Sequence, residues 1–158
     1  MDKLWAPWRI KYVSQKKELG CLFCKIAKQK KDKKNYIVLR SEYCFVALNR
    51  FPYNNGHLLI APYKHTAKLE QLNDEETLDI YKITIKMKKI IQKVLRPGGF
   101  NIGFNLGEIA GAGITGHIHL HLVPRWRGDT NFMPVLFKTK IISQSLDDLY
   151  DKLKKEKK

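Results

Sequence analysis

The sequence is poor in cysteine, in acid and in unbroken apolar stretches, and each scarcity narrows what the chain can be. Three cysteines is a small and odd number, and two of them stand as Cys21-Leu22-Phe23-Cys24. A disulfide framework is therefore excluded, and the spacing points to metal or redox chemistry instead. No apolar run approaches the ~18 residues needed to cross a bilayer as a helix, which excludes a membrane-spanning helix and any membrane partner that would need one. Residues 1–13 are interrupted by Asp2, Lys3, Pro7, Arg9 and Lys11. They lack the apolar centre of a secretory signal, so a cytoplasmic location is expected. Acidic residues number 15 against 30 Lys and Arg, a formal charge of +15. That field suits an anionic partner, whether phosphate ester, nucleic acid or acidic surface, and says nothing about fold.

What is present is about one domain's worth of chain, 158 residues at 44% hydrophobic. A single domain over 1–158 is expected. Within it, residues 1–20 form an aromatic arm and 147–158 a short basic helical tail that frays at its end. Six lysines between positions 25 and 34 repel one another and read as an exposed connection. Tyr36–Leu39 and Tyr43–Leu48 have the composition of a hairpin, and Cys44 within it reads as a buried apolar residue. Asn54-Asn55-Gly56 marks a turn before a third strand, His57–Ala61, ended by Pro62. Asp74–Leu95 is the clearest helix. Asn73 caps it, three acids sit in its first turn, Pro97-Gly98-Gly99 stops it, and Ile80, Ile83, Met87, Ile90 and Val94 make one apolar stripe. Phe100–Asn105 and Gly116–Pro124 read as two further strands joined by the glycine-rich stretch Leu106–Thr115. The expected class is α+β, an antiparallel sheet of about five strands with the long helix across one face.

Three of only five histidines fall in His117-Ile118-His119-Leu120-His121-Leu122-Val123. Random placement would give that alternation about 0.005 times per chain of this composition, so the pattern demands a reason. On a strand, alternation puts the three imidazoles on one face and Ile118, Leu120 and Leu122 on the other. His117 and His121 would lie ~13 Å apart, too far to share one ion through ~2.0 Å bonds. A three-histidine metal site on this strand is therefore disfavoured. Imidazole is also a nucleophile and a proton carrier near neutral pH, and phosphorus is an electrophile it can attack. The glycines just upstream let backbone N–H groups converge on phosphate oxygens.

The histidine run resembles the signature of the histidine triad (HIT) superfamily of nucleotide hydrolases and transferases. The likeness extends to Ala47-Leu48-Asn49 with Gly56-His57-Leu58-Leu59-Ile60, which resembles the Fhit-like branch. Asn101–Asn105 and Pro124–Pro134 look like bacterial diadenosine tetraphosphate phosphorylases. The resemblance covers roughly residues 4 to 145 and implies a HIT fold whose sheet is extended by homodimerisation, with dimer against tetramer left open. It implies His119 as nucleophile, forming a covalent nucleotidyl-imidazole, His121 at the transferring phosphoryl group or leaving oxygen, His117 in the triad, and His57 bracing it. Asn49 and Asn105 would bind ribose or nucleotide, and Ala112, Gly113, Ile114 and Thr115 would offer backbone donors to phosphate. Fhit-like hydrolases carry a glutamine where this chain has Gly113, and that departure favours the phosphorylase-like branch. The expected substrate is a dinucleoside polyphosphate such as diadenosine tetraphosphate, with phosphate or water as acceptor.

Trp126 offers an indole for stacking on adenine, and Arg125 and Arg127 offer guanidiniums for a polyphosphate; packed or structural roles are the alternative for all three. In zinc-bearing relatives that begin with such a cysteine pair, the remaining ligands resemble His65 and His117. A structural zinc on Cys21, Cys24, His65 and His117 is thus expected, two free thiols being the alternative, and no organic cofactor. Two other functions are carried: an adenosine phosphoramidate hydrolase of the same superfamily, and a basic RNA-binding module without catalysis. The second is disfavoured because the lysine clusters lack interleaved aromatics.

Overall fold

A computed structural model describes residues 20–129 and 142–157. The aromatic arm, apart from Gly20, lies outside the described residues, as do residues 130–141 and Lys158. Five strands form one sheet: β1 (Ile37–Arg40), β2 (Cys44–Leu48), β3 (Leu58–Pro62), β4 (Gly99–Phe104) and β5 (Leu120–Arg125). Their order is β1-β2-β3-β5-β4, with every neighbour antiparallel. Helices α1 (Leu22–Lys28) and α2 (Asp32–Asn35) precede the sheet, α3 (Asp74–Leu95) lies between β3 and β4, and α4 (Leu146–Glu156) closes the described chain.

The long helix forms where the sequence predicts it. The Asn73 side chain accepts from the Glu76 N–H while the Glu76 carboxylate accepts from the Asn73 N–H, so two of the free donors at its start are satisfied. Its apolar stripe packs with Val46, Leu48, Leu58, Ile60, Leu120 and Leu122 on one face of the sheet. The opposite face carries a smaller cluster of Phe23, Ile26, Ile37, Phe45, Ala47 and Ala61. Period-two alternation along the strands divides the two cores, and His57 and His121 share parity with the second.

Two expectations need correction. Residues 25–34 are not a loop but hold most of α1 and all of α2 except Asn35. Arg40 pins them by donating to the Ala27 and Gln29 carbonyls and to Asp32. Their six lysines are exposed as expected; the buried Phe23 and Ile26 on the inner side of α1 outweigh their repulsion. The C-terminal helix forms where it was expected, with Leu149, Tyr150 and Leu153 buried in the main core. Finally, β5 begins at Leu120 rather than Gly116. β4 ends at Phe104, opposite Leu120, and the Ile118 N–H is taken by the Thr66 carbonyl, so His117–His119 approach the sheet without joining its ladder.

Candidate active site

Gly56 sets the approach to the site. Its φ is +78° and a Cβ there would lie 2.6 Å from the Leu95 side chain, so the Asn54-Asn55-Gly56 turn needs glycine. The turn delivers His57 to the start of β3, fully buried beside β5. His57 Nδ1 accepts from the backbone N–H of Tyr53 at 3.0 Å, and the Asn49 amide lies 3.2 Å from the same nitrogen. An acceptor nitrogen in a neutral imidazole leaves the proton on the other one. His57 Nε2–H accordingly donates to His121 Nδ1 at 2.9 Å, which leaves the His121 proton on Nε2. That Nε2 is buried and without a partner among the described residues.

His119 has the opposite arrangement. Its Nδ1–H donates to the His117 carbonyl at 2.9 Å, so Nε2 carries the free lone pair. The His119 and His121 rings are 4.8 Å apart. The site thus presents one nitrogen nucleophile beside one N–H donor. Burial is the chief reason these imidazoles stay neutral. It pulls His57 down to about 3, helped by the neighbouring His121 and His119, and His121 down to about 4, helped by His119. Burial likewise lowers His119 despite its bond to the His117 carbonyl.

His117 has turned to a different task. Its Nε2–H donates to the Pro62 carbonyl at 2.9 Å, which aims Nδ1 at Cys21 Sγ (3.3 Å), Cys24 Sγ (3.6 Å) and His65 Nδ1 (3.3 Å). These four ligand atoms all lie within 4.8 Å of one another. A tetrahedral zinc with bonds of about 2.0–2.3 Å separates its ligands by roughly 3.3–3.8 Å, so the cluster is sized for such an ion. The bond to Pro62 is the outer hydrogen bond that orients a ligating imidazole. The histidine run therefore divides, the first serving the cysteine cluster and the other two the open site.

The remaining expected residues are placed as follows. Asn105 reaches the Tyr53 hydroxyl and the Gly111 carbonyl, both at 3.4 Å, and lies across the site from His57. Ala112 is buried with its N–H bonded to the Gly107 carbonyl, so that group is committed within the loop and is no free phosphate donor. The N–H groups of Gly113, Ile114 and Thr115 have no backbone acceptor among the described residues. Arg125 is engaged inside the chain, donating to both Asp129 oxygens and to Asn101, which removes it as a polyphosphate ligand and favours the structural reading. Arg127 is exposed. Trp126 follows the far end of β5, about 16 Å of strand from His121, and is half-buried there. Sequence reasoning missed two residues. Phe23, between the cysteines, packs its ring 5.2 Å from His117 and 4.9 Å from His119. Tyr53 stacks parallel to His121 at 5.5 Å. Tyr53 follows Phe51 and Pro52, so nothing local in the sequence singled it out.

Residues 30–128 match the HIT domain family. The chain belongs to the HIT family. It is 37% identical over 157 residues to a Mycobacterium tuberculosis protein named AP-4-A phosphorylase, with 94% of this chain and 80% of that protein covered. It is 31% identical to an adenosine 5'-monophosphoramidase of Schizosaccharomyces pombe over 68% of this chain and 75% of that one. Among solved structures, a Zn-bound histidine triad family protein from Mycobacterium smegmatis superposes with a TM-score of 0.69. It is 23% identical, with 87% of this chain and 93% of that chain covered. The fold of this HIT domain is thus the HIT fold, as the histidine run implied.

Proposed function

We propose that this HIT protein transfers a nucleotidyl group from a dinucleoside polyphosphate of the diadenosine tetraphosphate type to inorganic phosphate, through a covalent intermediate on His119. The observation that carries the reading is the pair of opposed tautomers, a free lone pair on His119 Nε2 beside a free N–H on His121 Nε2. His119 Nε2 attacks the α-phosphorus; a P–N bond forms as the P–O bond to the leaving nucleoside polyphosphate breaks. The His121 N–H donates toward the phosphoryl or leaving oxygen, where negative charge grows. Phosphate then attacks the same phosphorus from the vacated side, breaking the P–N bond and freeing a nucleoside diphosphate together with a neutral imidazole. Asn49 and Asn105 would hold ribose or nucleotide, and the N–H groups of residues 113–115 the phosphates. Identity of 37% to a protein named AP-4-A phosphorylase, and glycine at position 113, support phosphate as acceptor.

Cys21, Cys24, His65 and His117 would hold a zinc ion. With four protein ligands the site is closed, so the ion would stabilise the fold and leave bond breaking to the histidines. The protein would act as a homodimer.

The test is product analysis of diadenosine tetraphosphate with and without phosphate. Phosphate-dependent ADP and ATP are expected, and His119→Ala should lose roughly 10⁴-fold or more of the rate together with any trapped nucleotidylated protein. AMP and ATP in phosphate-free buffer would make water the acceptor; no cleavage in either buffer would remove this substrate class and put adenosine phosphoramidates next.

A further inference from the structure

We infer that Tyr53 is a positioning residue for His57 and His121: its backbone fixes which His57 nitrogen carries the proton, and its ring fixes the plane of His121. The role concerns the same site as the nucleotidyl-transfer reading and rests on that reading for its effect on turnover.

Tyr53 lies in the turn before β3 and nearly half of its surface is exposed, 48%, so packing in the core does not account for an aromatic there. Three contacts do. An amide can only donate, so the 3.0 Å bond from the Tyr53 N–H obliges His57 Nδ1 to accept. The obligation passes along the pair: His57 donates through Nε2, His121 accepts at Nδ1, and the His121 proton is left on the nitrogen that faces the site. Without the Tyr53 donor, only the longer contact from the Asn49 amide, 3.2 Å, still favours an acceptor at Nδ1, and part of the His57 proton population can move there. His57 Nε2 would then accept from His121 Nδ1–H, and His121 Nε2 would face the site as a lone pair, which repels an anionic phosphoryl group.

The second contact is the ring. It lies 5.5 Å from the His121 ring at an interplanar angle of 7°, and 4.6 Å from that of His57. An offset parallel stack of this kind resists rotation of the imidazole about its own axis. The third is the hydroxyl, 3.4 Å from the Asn105 amide, which ties the turn to the start of the glycine-rich loop. One side chain thus braces the donor histidine and spans the mouth of the site.

Three proteins test this, each checked for folding by its thermal transition: Tyr53→Leu, which removes the ring; Tyr53→Phe, which restores it; and a chain with an ester in place of the residue 53 amide, which removes the N–H alone. With diadenosine tetraphosphate, Tyr53→Leu should lower kcat by about 10- to 100-fold while KM moves little, and Tyr53→Phe should recover most of the loss. Nitrogen-15 NMR of the histidines should show Nε2–H for both His57 and His121 in the native chain, with Nδ1–H appearing in the ester. An unchanged kcat in Tyr53→Leu, a Tyr53→Phe as impaired as Tyr53→Leu, or Nδ1–H on native His57 would each overturn the role. If the native chain cleaves no dinucleoside polyphosphate, the nucleotide reading fails by itself. The tautomers, and the displacement of the His121 ring signals in Tyr53→Leu, then still decide whether Tyr53 positions the pair.

Discussion

His57 and His121 are buried bases that gain nothing from a charge, and this makes the domain sensitive to acid. Their values in the fold, about 3 and about 4, lie below the value near 6.5 expected for the unfolded chain. Between those limits the unfolded chain binds more protons, so stability is complete above about pH 6.5 and declines as pH falls toward 4 and then 3. Urea unfolding at pH 7.5, 6 and 5 should show midpoints that fall in that order. A midpoint that holds steady to pH 5 would mean these imidazoles are protonated in the native state. At this same scale the alternation picked out which histidines matter, while their expected division of labour came from the family resemblance and not from the spacing. His117, His119 and His121 are equivalent in a repeating pattern. Only the acceptors around them, Pro62 for one and the His117 carbonyl for another, assign each ring its free nitrogen.

At the scale of elements, α1 is where the cysteine cluster and the histidine site meet. It spans seven residues, too short to be stable alone. Its place is set by Arg40, which binds the carbonyls at its C-terminal end, by Phe23, buried against His117 and His119, and by the cysteine cluster at its start. If zinc is the fourth fastening, the purified protein should contain about one metal ion per chain. Chelation, or Cys24→Ser, should lower the thermal midpoint by roughly 5 °C or more. A chain that folds with an unchanged midpoint and no metal would leave the four groups as free thiols and imidazoles. The hairpin and α3 were legible because periodicity and end signals are local. The start of β5 was not: whether His117–His119 join a ladder depends on where β4 ends and on Thr66, fifty residues away.

For the whole molecule, folding gathers what the chain keeps apart. α4 lies against β1 and α3, with Lys33 paired to Asp151 at 3.6 Å and Lys93 to Glu156 at 3.0 Å, so the early lysine cluster and the C-terminal one share an edge of the sheet. At the other edge, β4 has no second neighbour among the described residues. Leu78, Tyr81 and Ile85 on the outer side of α3, and Ile102 on β4, are all about half exposed. An open strand edge with an apolar stripe above it is a liability for a free monomer and a ready surface for a second copy. We expect light scattering to give a mass of two chains, and Tyr81→Asp with Ile85→Asp to give one. A native monomer would refute homodimerisation, and a mass of four chains would place a second interface elsewhere.

The sequence by itself determined the family, the fold class, the long helix and which histidines gather at the candidate site, because a histidine run, a capping motif and an apolar stripe are written in consecutive positions. Only the tertiary structure decided which nitrogen of each histidine is bonded and which is free. It closed the expected set of Cys21, Cys24, His65 and His117 to within ligand distance, engaged Arg125 with Asp129, and brought Tyr53 over His121. The reason is physical: a side chain's role follows from which nitrogen is bonded and which is free. The groups that bond it come from turns and strands whose separation along the chain carries no record of their separation in space.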